Sequence, residues 1–427
     1  MTVVTGKEII LNVNVLDFGH AGGALAFSGL PPASATSADY YAGIARIAER
    51  GTLDAFFLAD SPSLQKDPRG GRGARALEPT MILTAVAEAT EYLGLIGTLS
   101  TTYNDPVELA ERFQTLDLYS GGRTGWNAVT TYNPAVSANF GLETNPDRDV
   151  RYRRANEFVD VVSGLWKRAI DKKTFDFEGE FFSVHGRLAL DPSDQGYPLI
   201  VQAGGSPQGR ALAGRSADAV FSAEQDIEAG VEHYAKVKAI AESHGRRRGD
   251  VQITPGLVTI IGSTHGEARA RAAKHRELAP NEHERGTLSE RLGYDLSALG
   301  LDELIPREAL SELPDPALFR GSLGFREAAV RALRRRPYTL REALDEFGSS
   351  GHSRVVGTPE DVADYIEKWF RAGAADGFNL LPDAFPSGLD DFVDHVVPIL
   401  RERGLFRYEY TERTLRHRWS QGMASNA

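Results

Sequence analysis

Short apolar runs alternate with amphipathic helical patterns along this chain, and the alternation limits the folds that it can adopt. Eight runs have the length and apolar character of buried strands, at residues 9–16, 54–60, 93–102, 124–131, 198–205, 217–222, 251–262 and 376–382. A repeating strand–helix unit predicts a parallel sheet, because each helix carries the chain back across the sheet. Eight units favour a closed α/β barrel, a (β/α)8 TIM barrel with insertions, over the runner-up, a doubly wound open sheet.

Three segments depart from this alternation. Residues 175–190 (FDFEGEFFSVHGRLAL) predict a β-hairpin. Residues 263–353 are charged, helix-prone and interrupted by prolines, which predicts a helical insertion that covers the barrel mouth. Residues 391–427 predict a C-terminal helix and a polar arm, which is either exposed or packed on a neighbouring subunit. We expect all three to belong to a single domain spanning 1–427, and the protein to form a homo-oligomer.

The composition excludes several functions. The formal net charge of −11 opposes nonspecific nucleic-acid binding, which requires a basic face. The chain has no cysteine, so disulfides, thiolate metal sites and cysteine nucleophiles are excluded. Residues 1–19 lack a basic segment followed by an apolar block, and no run approaches the roughly 20 apolar residues of a membrane span. We therefore expect a cytoplasmic protein with neither nucleic-acid nor membrane partners.

Polar residues follow several predicted strands at their carboxyl ends, where barrels of this type bind ligands. His20 follows the first run, and Asp60 ends the second. The other polar residues at these ends are Thr98, Ser100, Thr101, Asn127, Thr130 and Thr131. Any one of them fits an ordinary cap or turn, but together they predict one polar site at one end of the barrel.

The stretch QAGGSPQGR (202–210) has the features of a phosphate-binding turn. Gly204 and Gly205 let the backbone approach an anion closely, and Ser206 can cap the helix that follows, whose first N–H groups also attract anions. An ordinary glycine-rich turn between a strand and a helix explains the stretch equally well. It is neither a P-loop, because no lysine follows, nor a G-x-G-x-x-G dinucleotide motif.

The sequence offers little support for a metal site, and we predict none. No H-E-x-x-H motif is present. His275 and His283 are eight residues apart in the charged segment, and we expect both to be solvent-exposed.

Several stretches, in order along nearly the whole chain, resemble the nitrilotriacetate monooxygenase branch of the bacterial luciferase-like flavin monooxygenases. They are YYAGIARIAERGTLDAFFLAD, GTLSTTYNDPVELAERFQ, LDLYSGGRTGWNAVTT, RYRRANEFVDVVSGLW, PLIVQAGGSPQGRALAGRSADAVF and VDHVVPILRERGLFR. The resemblance implies a (β/α)8 barrel with insertions. It also implies a two-component monooxygenase that takes reduced FMN (FMNH2) from a separate NAD(P)H:flavin reductase. Such an enzyme adds one atom of O2 to a small organic substrate through a flavin C4a-hydroperoxide.

The resemblance also assigns roles to individual residues. The positions that it places beside the flavin ring are Asp60, Thr98, Ser100 and Asn127. At the FMN phosphate it places Tyr152 and Ser206, next to Gly205. The family usually has histidine four residues before the tyrosine, whereas this chain has Arg148, which can also bind phosphate. His20 is a candidate catalytic residue, as proton donor or substrate contact, and a structural histidine is the alternative.

The stretch from Ser120 to Gly141 is predicted to carry the fourth strand into the flavin pocket. We expect Trp126 to lie in the core, and Asn139 and Phe140 to shape the cavity. A departure from the family follows His20, where members often carry a Trp-Arg pair and this chain reads AGGALAFSGLPP. This predicts a smaller, less basic pocket wall, which disfavours a polyanionic substrate such as nitrilotriacetate.

Two other functions stay open on the same barrel. One is a deazaflavin-dependent oxidoreductase that transfers a hydride, and the other is a non-catalytic flavin-binding protein. Members of the deazaflavin group usually lack the SGGRxGWNxVT stretch, which favours the monooxygenase.

Overall fold

The computed structural model describes residues 8–60, 62, 77–131, 133–279, 281–313, 319, 321–347 and 351–421. Two kinds of strand are present, those of a parallel barrel and those of a small hairpin. In chain order they are β1 (Ile10–Val15), β2 (Ala55–Leu58), β3 (Gly94–Ser100), β4 (Thr124–Val129), β5 (Phe175–Glu178), β6 (Ser183–Gly186), β7 (Leu199–Gln202), β8 (Ala219–Ser222), β9 (Gln252–Ile261), β10 (Ser353–Gly357) and β11 (Gly377–Pro382).

Hydrogen bonds between parallel neighbours close the barrel. The strand order β1-β2-β3-β4-β7-β8-β9-β11 returns to β1. Strand β9 makes this possible, because its residues 252–255 pair with β8 and its residues 256–259 pair with β11. Residues 257–261 also pair with β10, which lies outside the ring. The predicted barrel of eight parallel strands is confirmed. Strands β5 and β6 form the antiparallel hairpin predicted for residues 175–190.

Helices connect the strands and cover the barrel. They are α1 (Ala24–Ser28), α2 (Ala38–Arg50), α3 (Pro79–Ala89), α4 (Pro106–Ser120), α5 (Pro134–Ser137), α6 (Arg148–Asp171), α7 (Pro207–Ser216), α8 (Ile227–Ser243), α9 (His265–Leu278), α10 (Asn281–Leu292), α11 (Leu323–Leu333), α12 (Leu340–Phe347), α13 (Pro359–Arg371), α14 (Ser387–Asp391), α15 (Val397–Glu402) and α16 (Leu415–Gln421). Among the described residues, none of these helices is both long enough and apolar enough to cross a membrane.

The alternation within β1 explains why its asparagines sit in an apolar run. Leu11 and Val13 pack outward against the surrounding helices. Ile10, Asn12 and Asn14 point to the barrel interior, since side chains alternate along a strand. There Ile10 joins the inner core, and the amide of Asn12 donates to Asn379 Oδ1 on β11 at 3.1 Å. Polar residues at every second position therefore indicate which face of this strand points into the barrel.

The segment between β9 and β10 contains two differently packed parts. Helix α9 packs against β9 and β10, as the other barrel helices pack against their strands. Helices α10, α11 and α12 have a small apolar core of their own, which includes Leu292, Val330 and Leu344. Ion pairs join α11 to α8, with Arg331 at 3.3 Å from Glu232. The role of this segment as a cover for the mouth stays a prediction.

The C-terminal segment closes the amino end of the barrel. Leu415 and Trp419 of α16 are buried against inward-facing residues of five strands, among them Ile10, Ile96 and Ala219. Arg418 donates to the carbonyl oxygen of Asp54, just before β2, at 3.0 Å. The arm was predicted to be either exposed or packed on a neighbouring subunit. Residues 415–419 adopt neither arrangement, because they lie inside their own barrel.

We expect Trp419→Ala to destabilise the protein by about 3–5 kcal/mol, because it empties a large buried volume at the barrel floor. Trp419 is 5% exposed. Tyr408→Ala, at a side chain that is 69% exposed, is the matched control and has little effect. Urea unfolding of both variants measures the difference. Equal stability of the two variants would contradict the assignment of α16 as the floor.

Candidate active site

A cavity of about 1080 Å³ opens at the carboxyl ends of the barrel strands. It brings together eight of the nine residues predicted from the sequence, although they come from separate parts of the chain. Those eight are His20, Asp60, Thr98, Asn127, Arg148, Tyr152, Gly205 and Ser206. Only the closed barrel makes them neighbours, because it gathers all the strand ends at one rim.

The turn from β7 to α7 forms a tight cradle at one side of the cavity. Ser206 caps α7 by accepting from the backbone N–H of Gly209 at 3.1 Å, and it donates to the hydroxyl of Tyr152 at 3.2 Å. A Cβ on Gly204 would lie 3.1 Å from that hydroxyl and 2.9 Å from the Cα of Gly209. The lack of a side chain at Gly204 therefore lets the turn and Tyr152 meet, and leaves N–H groups of α7 at the cavity.

Helix α6 presents Arg148 and Tyr152 to the same cradle. The two residues are four apart, so they share one face of the helix. The guanidinium of Arg148 donates to the carbonyl oxygen of Phe319 at 3.0 Å. Arg148 thus lines the same cavity as Tyr152 and also contacts the segment between β9 and β10.

The side of the cavity next to the turn from β7 to α7 carries polar groups of β3 and β4, since β4 pairs with β7. Thr98 and Asn127 are register partners, and the Asn127 amide donates to Thr98 Oγ1 at 2.9 Å. The Oδ1 of Asn127 is buried and has no hydrogen-bond partner within the described part of the chain. A buried acceptor of this kind is costly unless a ligand satisfies it. Asp60 lines the same side, just beyond β2.

Ser100 departs from the prediction, because it does not line the cavity. Its hydroxyl accepts from Thr131 Oγ1 at 2.7 Å and from the N–H of Thr102 at 3.1 Å. These bonds stabilise the turn that ends β3. The strand periodicity that places Thr98 inward also applies to Ser100, but the strand ends there and the chain turns away.

The predictions for residues 120–141 are partly right. Trp126 is in the core, as predicted, where its indole N–H donates to the Leu99 carbonyl oxygen at 3.1 Å. The predictions for Asn139 and Phe140 are wrong. Asn139 donates to the carbonyl oxygen of Pro62 at 3.0 Å, and Phe140 stacks on Tyr103, so neither lines the cavity.

His20 lies where the loop after β1 meets the cavity. Its Nε2 is 2.9 Å from the carbonyl oxygen of Asn14. The residues that follow form α1 and do not line the cavity. This segment therefore does not form the wall that was predicted to be less basic. Among the residues that the structure describes, six arginine or lysine side chains and six acidic side chains line the cavity from other elements.

The sequence reasoning missed a buried histidine–carboxylate pair in the cavity wall. His233 Nδ1, on α8, lies 2.9 Å from Glu224, which follows β8. Burial alone raises the pKa of the Glu224 carboxyl, but the hydrogen bond and charge of His233, together with hydrogen bonds from Ser222 and the backbone, hold this pKa below its usual value. The position of Glu224 directly after a strand could have identified it as a candidate site residue. The sequence of α8 contains no local pattern that identifies His233 as one.

Two other histidines are buried. Burial, and then the charges of His20 and Arg291, lower the pKa of His352 to about 3, so this cavity residue is neutral at neutral pH. His275, predicted to be solvent-exposed, is 2% exposed, while the side chain of His283 lies outside the described residues. No group of three or more metal-binding side chains occurs among the residues that the structure covers.

Comparisons with known proteins identify the family of the chain. The family model for luciferase-like monooxygenases matches residues 20–376. The chain is 38% identical to nitrilotriacetate monooxygenase component A of Aminobacter aminovorans, over 93% of this chain and 92% of that protein. The structure of EDTA monooxygenase from Chelativorans sp. BNC1 superposes with a TM-score of 0.81 at 33% identity, covering 97% of this chain and 98% of the other.

A further solved structure contains flavin. A riboflavin lyase, solved with modified FMN and riboflavin, superposes with a TM-score of 0.83 at 29% identity, covering 97% of this chain and 96% of the other. Each similarity spans nearly all of both chains, so it concerns the whole barrel and not one motif. The chain therefore belongs to the luciferase-like monooxygenase family and is a flavin-dependent monooxygenase.

Proposed function

We propose that the protein is the oxygenase of a two-component system. It takes FMNH2 from a separate NAD(P)H:flavin reductase and uses O2 to oxygenate a small organic substrate. This proposal rests on one observation. Residues suited to binding a phosphate and polar residues suited to binding a flavin ring line the same cavity at the barrel mouth. The cavity of about 1080 Å³ lies at the upper end of the size range of ligand sites, which suits a cofactor and a substrate together.

The residues present fit FMN. The cradle of Gly205, Ser206, Tyr152 and Arg148 offers hydroxyls, a guanidinium and a helix N-terminus, which are the groups that bind a phosphate. The unpartnered acceptor of Asn127 suits an N–H donor, and a flavin ring carries one. We assign Asp60, Thr98 and Asn127 to the ring and the cradle to the phosphate.

Bound FMNH2 supplies the two electrons and two protons of the reaction: one atom of O2 enters the substrate, the other leaves as water, and FMN is formed. The chain itself binds, orients and excludes water. The Nε2 of His20 holds a proton, because it faces the carbonyl oxygen of Asn14, which only accepts. We assign His20 as the catalytic residue that contacts the substrate or donates a proton to it.

The remaining part of the cavity is suited to the substrate. Phe57, Phe221 and Leu381 supply an apolar surface, and the Glu224–His233 pair supplies polar groups beside it. Phe221 and Leu381 lie on β8 and β11, and Glu224 follows β8, whereas Phe57 lies on β2. Strand β8 pairs with β7, so this part of the cavity adjoins the cradle. We therefore assign the β8–β11 side of the mouth to the substrate, which needs an apolar body and a hydrogen-bonding group.

Reconstitution tests the proposed function. The purified chain is mixed with NADH, FMN, a flavin reductase and a panel of small sulfur- or nitrogen-containing organic compounds under 18O2. We expect one 18O atom in the product of a subset of compounds, and no product when the reductase is omitted. Turnover with a reduced deazaflavin and no oxygen requirement would support the hydride-transfer alternative. Tight flavin binding without any product would support the non-catalytic one.

Gly204→Ala tests the cradle. The added methyl group presses on Tyr152 and Gly209, so we expect the dissociation constant for FMNH2 to rise about tenfold, or ~1.4 kcal/mol. Gly43→Ala is the matched control, since a Cβ there meets no atom within 4 Å. Anaerobic fluorescence titration measures both. Unchanged affinity in Gly204→Ala would place the phosphate elsewhere.

Glu224→Gln tests the substrate side. The neutral amide no longer holds His233 through a charged hydrogen bond, a change that costs about 1.5–3 kcal/mol. For a substrate found by reconstitution, we expect KM to rise while the affinity for FMNH2 is unchanged. Glu228→Gln, on the exposed face of the same helix, is the control. A fall in FMNH2 affinity with unchanged KM would assign this wall to the cofactor instead.

A further inference from the structure

We propose that Asp383, held by Arg271 and His275, is a positioning residue for His20. This inference rests on the proposed function, in which His20 acts on the substrate side of the cavity. None of the three residues lines the large cavity, so none of them contacts the cofactor or the substrate. They act through the backbone that carries His20.

The loop of His20 is attached to the segment that follows β11. The N–H of His20 donates to the Pro382 carbonyl oxygen at 2.9 Å, and the N–H of Ala21 donates to the Asp383 carbonyl oxygen at 3.1 Å. Gly19 has φ +135°, and a Cβ there would overlap the Asp383 carbonyl oxygen. The backbone at His20 therefore follows the backbone at Asp383 closely.

The side chain of Asp383 fixes that backbone to helix α9. Arg271 donates through Nε to Oδ2 at 2.6 Å and through Nη2 to Oδ1 at 3.0 Å. His275 Nε2 lies 2.7 Å from Oδ2. Arg271 and His275 are four residues apart and so share one face of α9. A carboxylate that is fully buried requires such partners, and losing one leaves a costly uncompensated charge.

His275 also contacts the chain on the other side of His20. Its ring stacks on Phe27 of α1 with 4.1 Å between centroids. A small cavity of about 40 Å³ separates it from His20, and both histidines line it. Its Nδ1 is buried and has no hydrogen-bond partner among the atoms described. His275 thus contacts both Asp383, whose backbone is bonded to the loop that holds His20, and Phe27, which follows that loop.

Two substitutions of His275 separate positioning from mere packing. His275→Leu removes the donor to Asp383, whereas His275→Gln keeps an N–H group at a similar reach. His185→Leu is the matched control, because it removes another His–Asp pair, with Asp176, in the exposed hairpin. Arg271→Lys, which keeps the charge and loses the two-point contact, serves as a second variant if His275→Leu fails to fold.

The first readout is independent of cofactor. In cofactor-free protein labelled with 15N-histidine, the His20 ring signals are assigned by their loss in His20→Gln. We expect His275→Leu and Arg271→Lys to shift or broaden these signals, His275→Gln to restore them, and His185→Leu to leave them unchanged. Unchanged His20 signals in a folded His275→Leu protein would overturn the proposal, whatever its stability.

The second readout uses FMNH2, O2 and a substrate found by reconstitution. We expect His275→Leu to lower kcat several-fold, with FMNH2 affinity unchanged and His275→Gln close to the wild type. Equal kcat in all variants would overturn the proposal. A wild-type protein that binds no FMNH2 would refute the proposed function, while the His20 signals would still decide the positioning role.

Discussion

The backbone pairing of β9 with both β8 and β11 is the constraint on which the rest of the molecule depends. It turns an open row of parallel strands into a ring. In a ring, every strand delivers its carboxyl end to the same rim, so residues as distant in sequence as His20 and Ser206 become neighbours. The amino ends meet at the other rim, where they create a second opening that must also be filled.

The fold was predictable from the sequence because each strand is short, apolar and followed by a helix with its own end signals. The cradle was predictable for a similar reason, since Gly204, Gly205 and Ser206 form one local motif. Arg148 and Tyr152 required the family resemblance, because a helix turn carrying arginine and tyrosine has no distinctive pattern by itself. In the structure, both side chains of α6 line the same cavity as Ser206, and Tyr152 bonds to it.

The residues that escaped prediction depend on contacts between distant segments. Ser100 has the right periodicity but takes part in a turn with Thr131. His275 lies in a charged helix, and its burial follows only from the position of Asp383, about a hundred residues later. His233 becomes a cavity residue because α8 sits beside the loop that carries Glu224. No local pattern in a single sequence contains these relations.

The floor of the barrel has a consequence for how the molecule assembles. Ile10 lies near one end of the described chain, and its inner neighbours Leu415 and Trp419 lie near the other. Their contact closes a loop of some four hundred residues, which is costly in chain entropy and slows folding. Until α16 has been synthesised, the strands leave an apolar opening at the end of the barrel opposite the candidate active site. A nascent chain of this kind depends on protection from aggregation until residues 415–419 can pack there.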